Sequence, residues 1–112
     1  MGGRINFIEI PAAQVARSKA FYEQAFGWAL TEFGPSYACT MTGDVDLGIQ
    51  GDLSAAPRAP LPVIQVPDLA AAQRAVEAAG GAIVKPAFSF PGGRRFHFRD
   101  PGGNELAAWQ RE

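Results

Sequence analysis

Apolar and polar residues alternate with period two in several short runs and recur at three and four in two longer ones. Ile5 to Ile10 reads as a strand, with Ile8 and Ile10 on one face and Phe7 and Glu9 on the other. Pro11 ends it, because proline cannot donate the next ladder hydrogen bond. From Gln14 to Phe26 the period becomes helical, with Val15, Ser18, Tyr22, Ala25 and Phe26 forming a stripe. Phe21 and Phe26 are expected to serve the core beneath this helix, and Gly27 stops it with a left-handed backbone. Trp28 to Phe33 reads as an edge strand. Tyr37 to Met41 and Val45 to Gln50 then pair around a turn at Thr42-Gly43-Asp44.

The same order follows again. Pro62 to Val66 is a strand stopped by Pro67, and Asp68 is placed to cap a helix in which Leu69, Ala72, Gln73, Val76 and Ala79 keep helical spacing. Gly80 and Gly81 end that helix. Ala82 to Lys85 reads as a short strand, and Pro86 to Gly93, with two prolines and two glycines, as a shaped loop. Arg94 to Arg99 and Asn104 to Gln110 close the chain as a hairpin around the turn Asp100-Pro101-Gly102-Gly103-Asn104. The segment Glu105-Leu106-Ala107 echoes Asp46-Leu47-Gly48: an acid, a leucine and a tiny residue at the end of each half. Both halves read as strand, helix and three strands, so the chain is expected to be one α+β domain, 1–112. Its two βαβββ modules, 4–51 and 61–111, are joined by a polar, proline-containing linker, 52–60.

Composition narrows the chemistry. Ten basic and eleven acidic residues leave a net charge of -1, which gives no long-range pull on nucleic acid or anionic lipid. No apolar run approaches membrane-spanning length, so neither nucleic acid nor membrane is expected as a partner. The lone Cys39 forms no intrachain disulfide; it lies in a strand pattern as a buried bystander and fits a reducing, cytoplasmic location.

With both halves laid out, the chain resembles the vicinal oxygen chelate superfamily, the glyoxalase/bleomycin resistance/dioxygenase fold. The resemblance rests on Phe7-Ile8-Glu9-Ile10-Pro11, on Ala20-Phe21-Tyr22-Glu23-Gln24-Ala25-Phe26-Gly27-Trp28, and on Asp100-Pro101-Gly102-Gly103-Asn104. It covers nearly the whole chain. It implies paired modules whose sheets curl around a cleft, and a homodimer in which both chains build the clefts. On this register Phe7, Glu9, Val63, Gln65, Glu105, Ala107 and Trp109 face the cleft, while Ile8, Ile10, Ile64, Val66, Leu106 and Ala108 lie under the helices. The enzymes of the family hold a divalent metal at positions that map to Phe7, Gly48, Leu61 and Ala107. None of these is a side-chain ligand, so no metal and no cofactor is expected.

The expected site is therefore organic. Phe7 and Trp109 are candidates for its floor, with Phe33, Tyr37, Phe88 and Phe90 near its rim, since flat rings suit planar apolar ligands. Phe7, Glu9, Tyr37, Gln65, Phe90, His97 and Trp109 form the expected ligand-binding set. Glu9 and Glu105 are candidates for an acid–base pair facing each other across the modules. His97, the one histidine, adds a third titratable candidate, although Arg95 and Arg99 beside it would repel a metal cation. The expectation is metal-independent binding of a small planar or hydrophobic molecule, of the antibiotic-sequestering type, rather than catalysis. The alternatives are a glyoxalase-like lyase or isomerase and a non-catalytic assembly subunit.

Overall fold

The computed structural model describes residues 2–112. Its elements are β1 (Arg4–Pro11), α1 (Val15–Phe26), β2 (Leu30–Glu32), β3 (Tyr37–Thr40), β4 (Asp46–Gln50), β5 (Leu61–Gln65), α2 (Leu69–Ala78), β6 (Ala82–Phe90), β7 (Gly93–Arg99) and β8 (Glu105–Arg111). Each half is a βαβββ module, as the residue pattern predicts. The chain divides into two compact units, residues 7–61 and residues 62–112 with 2–6.

In the unit of residues 7–61 the strand order is β2-β3-β4-β1, with β4 parallel to β1 and antiparallel to β3. Val15 of α1 packs with Leu30, Ala38 and Ile49, joined by Ile10, Tyr22 and Leu47. Helix α1 is locally weak at its start: Gln14 stands at the N-cap without a side-chain hydrogen bond. It is well closed at its end, where Gly27 adopts φ 70° and donates its N–H to the Glu23 carbonyl at 3.0 Å. The expectation that Phe21 and Phe26 serve the core is overturned. They are 59% and 62% exposed, because the buried side of α1 is a narrow stripe of Val15 and Tyr22. Instead Phe21, Tyr22, Phe26 and Trp28 contact one another on the outer surface, Tyr22 and Trp28 stacking at 5.2 Å.

The β3–β4 turn is held by a carboxylate. Asp46 accepts from the Thr40 and Thr42 hydroxyls, each at 2.7 Å, and from the backbone N–H of Thr42 at 2.8 Å and of Gly43 at 3.0 Å. Burial pushes its pKa up, but the hydrogen bonds from Thr40, Thr42 and Gly43 together outweigh it and hold the carboxyl below its usual value. Asp46→Ala should therefore cost about 1–2 kcal/mol at neutral pH. A group with a depressed native pKa stabilises the fold above its unfolded value of about 4 and loses that contribution as pH falls through the native one. Urea melts at neutral and acidic pH check this: the gap between wild type and variant should close in acid. Cys39, beside this turn, is buried, and burial followed by the Asp46 charge pushes its thiol pKa up, as suits an inert thiol.

In the unit of residues 62–112 the order is β5-β8-β7-β6, with β5 parallel to β8 and the rest antiparallel. Asp68 caps α2 by accepting from the Ala71 N–H at 3.1 Å. Leu69 and Ala72 of α2 bury against Val66, Phe96 and Ala108, with Ile64, Val76, Ile83 and Phe98 around them. Burying a leucine this fully is worth about 2 kcal/mol. With those residues under α2, strand alternation sends Val63, Gln65, Arg95, His97, Ala107 and Trp109 to the opposite face.

The expected loop at Pro86 to Gly93 is instead mostly strand, since β6 runs to Phe90. Its pairing with β7 slips twice: Ile83 opposes Phe98, Lys85 opposes His97, and Phe88 opposes Arg95. Each slip inserts one residue, and β6 lies at the end of the strand order, where a proline is tolerated. Two bulges therefore reconcile Pro86 with a strand. The first also turns Lys85 toward the face that carries His97, and the two together set Phe88 opposite Arg95 rather than Gly93.

Candidate functional site

The face opposite α2 carries two adjoining clusters. The first is built on Trp109, whose indole N–H donates to Asn6 Oδ1 at 3.0 Å; Asn6 Nδ2 in turn donates to Gln65 Oε1 at 2.7 Å. Parallel pairing of β5 with β8 sets Gln65 beside Trp109. The relay fixes both amide orientations. The Phe90 ring stands 6.1 Å from that of Trp109, and the Arg111 guanidinium lies over the indole at 5.3 Å. Half-buried rings beside oriented amides can stack on a flat molecule and fix its direction.

The second cluster is polar and deeper. His97 is only 2% exposed, and its Nδ1 lies 2.8 Å from Glu105 Oε2. An ionised carboxylate only accepts, so the ring proton resides on Nδ1 when the imidazole is neutral. Nε2 is then a bare acceptor, buried and without a hydrogen-bond partner. Burial pushes the His97 pKa below its ordinary value; the Glu105 hydrogen bond opposes this, and the charges of Arg95 and Lys85 reinforce it. Phe88 covers the ring at 5.8 Å, tilted by 38°, with Lys85 Nζ 5.4 Å and the Arg95 guanidinium 5.3 Å from its own centroid. Arg95 also reaches Phe90 at 5.7 Å, so it borders both clusters.

The expected ligand-binding residues thus fall into separate groups. Gln65, Phe90 and Trp109 meet in the first cluster, and His97 stands in the second. Phe7, Glu9 and Tyr37 belong to the other unit. There Glu9 is buried, and Phe7 and Tyr37 pack against Gly48: a Cβ on Gly48 would lie 2.5 Å from Phe7 Cζ and also strike the Tyr37 hydroxyl. Glu105 has His97 as its partner. Two residues escaped the sequence reading: alternation put Asn6 with Ile8 and Ile10, and the bulges hid Lys85.

The four positions that the resemblance assigns to a metal do not fit one. Phe7, Gly48, Leu61 and Ala107 carry no donor side chain, and the space a ligand at 48 would need is filled by the Phe7 ring. Among the described residues no three His, Cys, Asp or Glu side chains are grouped to hold a cation. An open groove of about 400 Å³ lies elsewhere, between Trp28, Thr31, Met41, Thr42, Val45 and Leu47. It contains none of the expected ligand residues.

Comparison with known proteins agrees with this architecture. The family model of the Glyoxalase/Bleomycin resistance protein/Dioxygenase superfamily matches residues 4–108, and the chain belongs to that family. No curated protein sequence matches it. Among solved structures it is similar to a protein from Bacillus halodurans C-125, with TM-score 0.80 at 13% identity, covering 100% of this chain and 96% of that one. It is also similar to methylmalonyl-CoA epimerase from Mycobacterium tuberculosis, with TM-score 0.74 at 18% identity over 96% of this chain and 87% of the other. A superfamily member from Vibrio splendidus 12B01 gives TM-score 0.72 at 16% identity, covering 97% and 99% of the two chains. At such identities the likeness is one of fold.

Proposed function

We infer that the protein binds a small, flat, largely apolar molecule without a metal ion, on the sheet face that carries Trp109. The observation that carries this reading is the Trp109–Asn6–Gln65 relay beside Phe90. An indole held in place by an Asn–Gln relay beside a second ring offers a flat molecule both a stacking surface and a fixed direction. The donor-free residues at 7, 48, 61 and 107 support a metal-independent site, and within this reading the role we propose is sequestration of the antibiotic-resistance type.

The homodimer belongs to the same reading. Phe26, Trp28, Met41 and Val45 expose large apolar surfaces, and apolar area left in water costs about 25 cal/mol per Å². A cytoplasmic setting suits a free, buried Cys39. No described helix is long and apolar enough to cross a membrane. The glyoxalase-like lyase or isomerase reading has one observation in its favour, the His97–Glu105 pair. Native mass spectrometry of freshly purified protein separates these readings. A dimer retaining an organic ligand and no divalent metal is expected. Stoichiometric zinc, nickel, iron or manganese that tracks with turnover would replace the binder with a metalloenzyme, and a monomer at tens of micromolar, roughly where obligate interfaces stay closed, would remove the dimer.

A further inference from the structure

We propose that His97 and Glu105 form a proton-accepting dyad for a ligand bearing an acidic hydroxyl, a phenol or an enol, whose anion Lys85 and Arg95 then hold. This rests on the binding reading above and names the chemical class of the ligand.

The geometry has four parts. Glu105 fixes the imidazole through Nδ1 at 2.8 Å, so that Nε2 presents its lone pair. That atom is sealed from water and has no hydrogen-bond partner. A buried acceptor left bare in this way costs on the order of 1–3 kcal/mol, which a hydroxyl donor would recover. Its surroundings suit an anion once the proton has moved. Across the strands, Lys85 stands opposite His97, and the Arg95 guanidinium lies on the same side; Glu105 is the counter-charge on β8. The fourth part is the cover. Phe88 lies over the imidazole with both cations against its own face, and it follows the second slip of β6. Its ring lies 5.8 Å from the imidazole on a segment whose ladder is already interrupted.

The step is a simple transfer. The ligand O–H bond breaks, its proton goes to Nε2, and the electron pair stays on oxygen beside Lys85 and Arg95. The resulting imidazolium is held by the Glu105 carboxylate through Nδ1–H. No electrons leave or enter.

The probe is 4-nitrophenol, whose phenolate has its own visible band, buffered below the phenol's solution pKa. Equilibrium dialysis reads how much binds; absorbance reads how much of the bound probe is ionised. Wild type should bind it with the ionised fraction raised roughly tenfold, the equivalent of one pKa unit. His97→Gln and Lys85→Met should retain binding and lose most of the ionised band. Glu105→Gln should lower it, because the carboxylate no longer stabilises the imidazolium. Bound probe that stays neutral in wild type, or a band that survives His97→Gln, overturns the dyad and leaves the Trp109 floor standing. Absence of any binding of this phenol also overturns the dyad, while the Trp109 floor is decided by its own panel of flat aromatic compounds. Should His97→Gln fail to fold, the single histidine supplies a second readout in wild type. Its ring protons should shift toward the imidazolium position when the probe is added, and an unchanged ring at saturation overturns the proposal.

Discussion

Replacing Trp109 with alanine is expected to weaken binding of a planar aromatic compound by at least about 30-fold, equivalent to roughly 2 kcal/mol. The indole would supply most of the stacking area, and its N–H orders Asn6 and, through it, Gln65. Loss of the ring therefore removes both surface and direction. Tryptophan fluorescence checks it against a panel of flat aromatic compounds, with Trp28 as the internal control. Trp28 lies in the other unit, stacked on Tyr22. Trp28→Phe should keep the ligand-dependent quench and Trp109→Phe should lose it. A quench that follows Trp28, or a panel that moves neither signal, would refute the floor and bring the assembly subunit forward.

Gly48→Ala should destabilise the fold by about 2 kcal/mol, despite the small entropic gain that alanine usually brings to a glycine position. The added methyl would sit 2.5 Å from Phe7 Cζ and 2.8 Å from Cε2, and would also meet the Tyr37 hydroxyl. The cost should be conditional. In a Phe7→Leu background the shorter side chain yields room, and the same substitution should cost far less. A double-mutant cycle by urea denaturation measures this, with a coupling of about 1 kcal/mol or more expected. Strict additivity would show that the Phe7 ring moves aside freely, and with it would go the claim that this ring closes the position to a metal ligand.

These two residues also show what could be read from the chain. Periodicity revealed both modules because each strand has one face under a helix: Ile64, Val66, Phe96 and Ala108 pack with α2, so their odd and even neighbours separate cleanly. Turn chemistry was equally legible, as at Asp68 and Gly27, where a single local hydrogen bond or a left-handed backbone suffices. Trp109 and Gln65 fell on the right face for the same reason. What could not be read were consequences of pairing over long separations. The indole's partner Asn6 lies 103 residues away, and nothing local marks it. Lys85 owes its direction to an inserted residue that alternation cannot anticipate, and Phe88 its place opposite Arg95 to a second one. Phe21 and Phe26 failed differently. A helix leaning on its sheet through a stripe as narrow as Val15 and Tyr22 leaves other apolar positions in water, and periodicity reports spacing rather than the width of contact.

The slipped pairing of β6 has a bearing on solubility as well as on the site. An outermost strand offers unpaired backbone groups to any passing extended chain, and a long flat one invites stacking into fibrils. β6 spans nine residues at the end of the strand order. Its two bulges break the even spacing a foreign strand would need, Pro86 removes one donor, and Lys85 sets a charge in the same stretch. In the other unit β2, at the end of its own strand order, is only three residues long, too short to template much. The irregularity that turns Lys85 toward His97 thus also protects the chain against polymerising through its own margin.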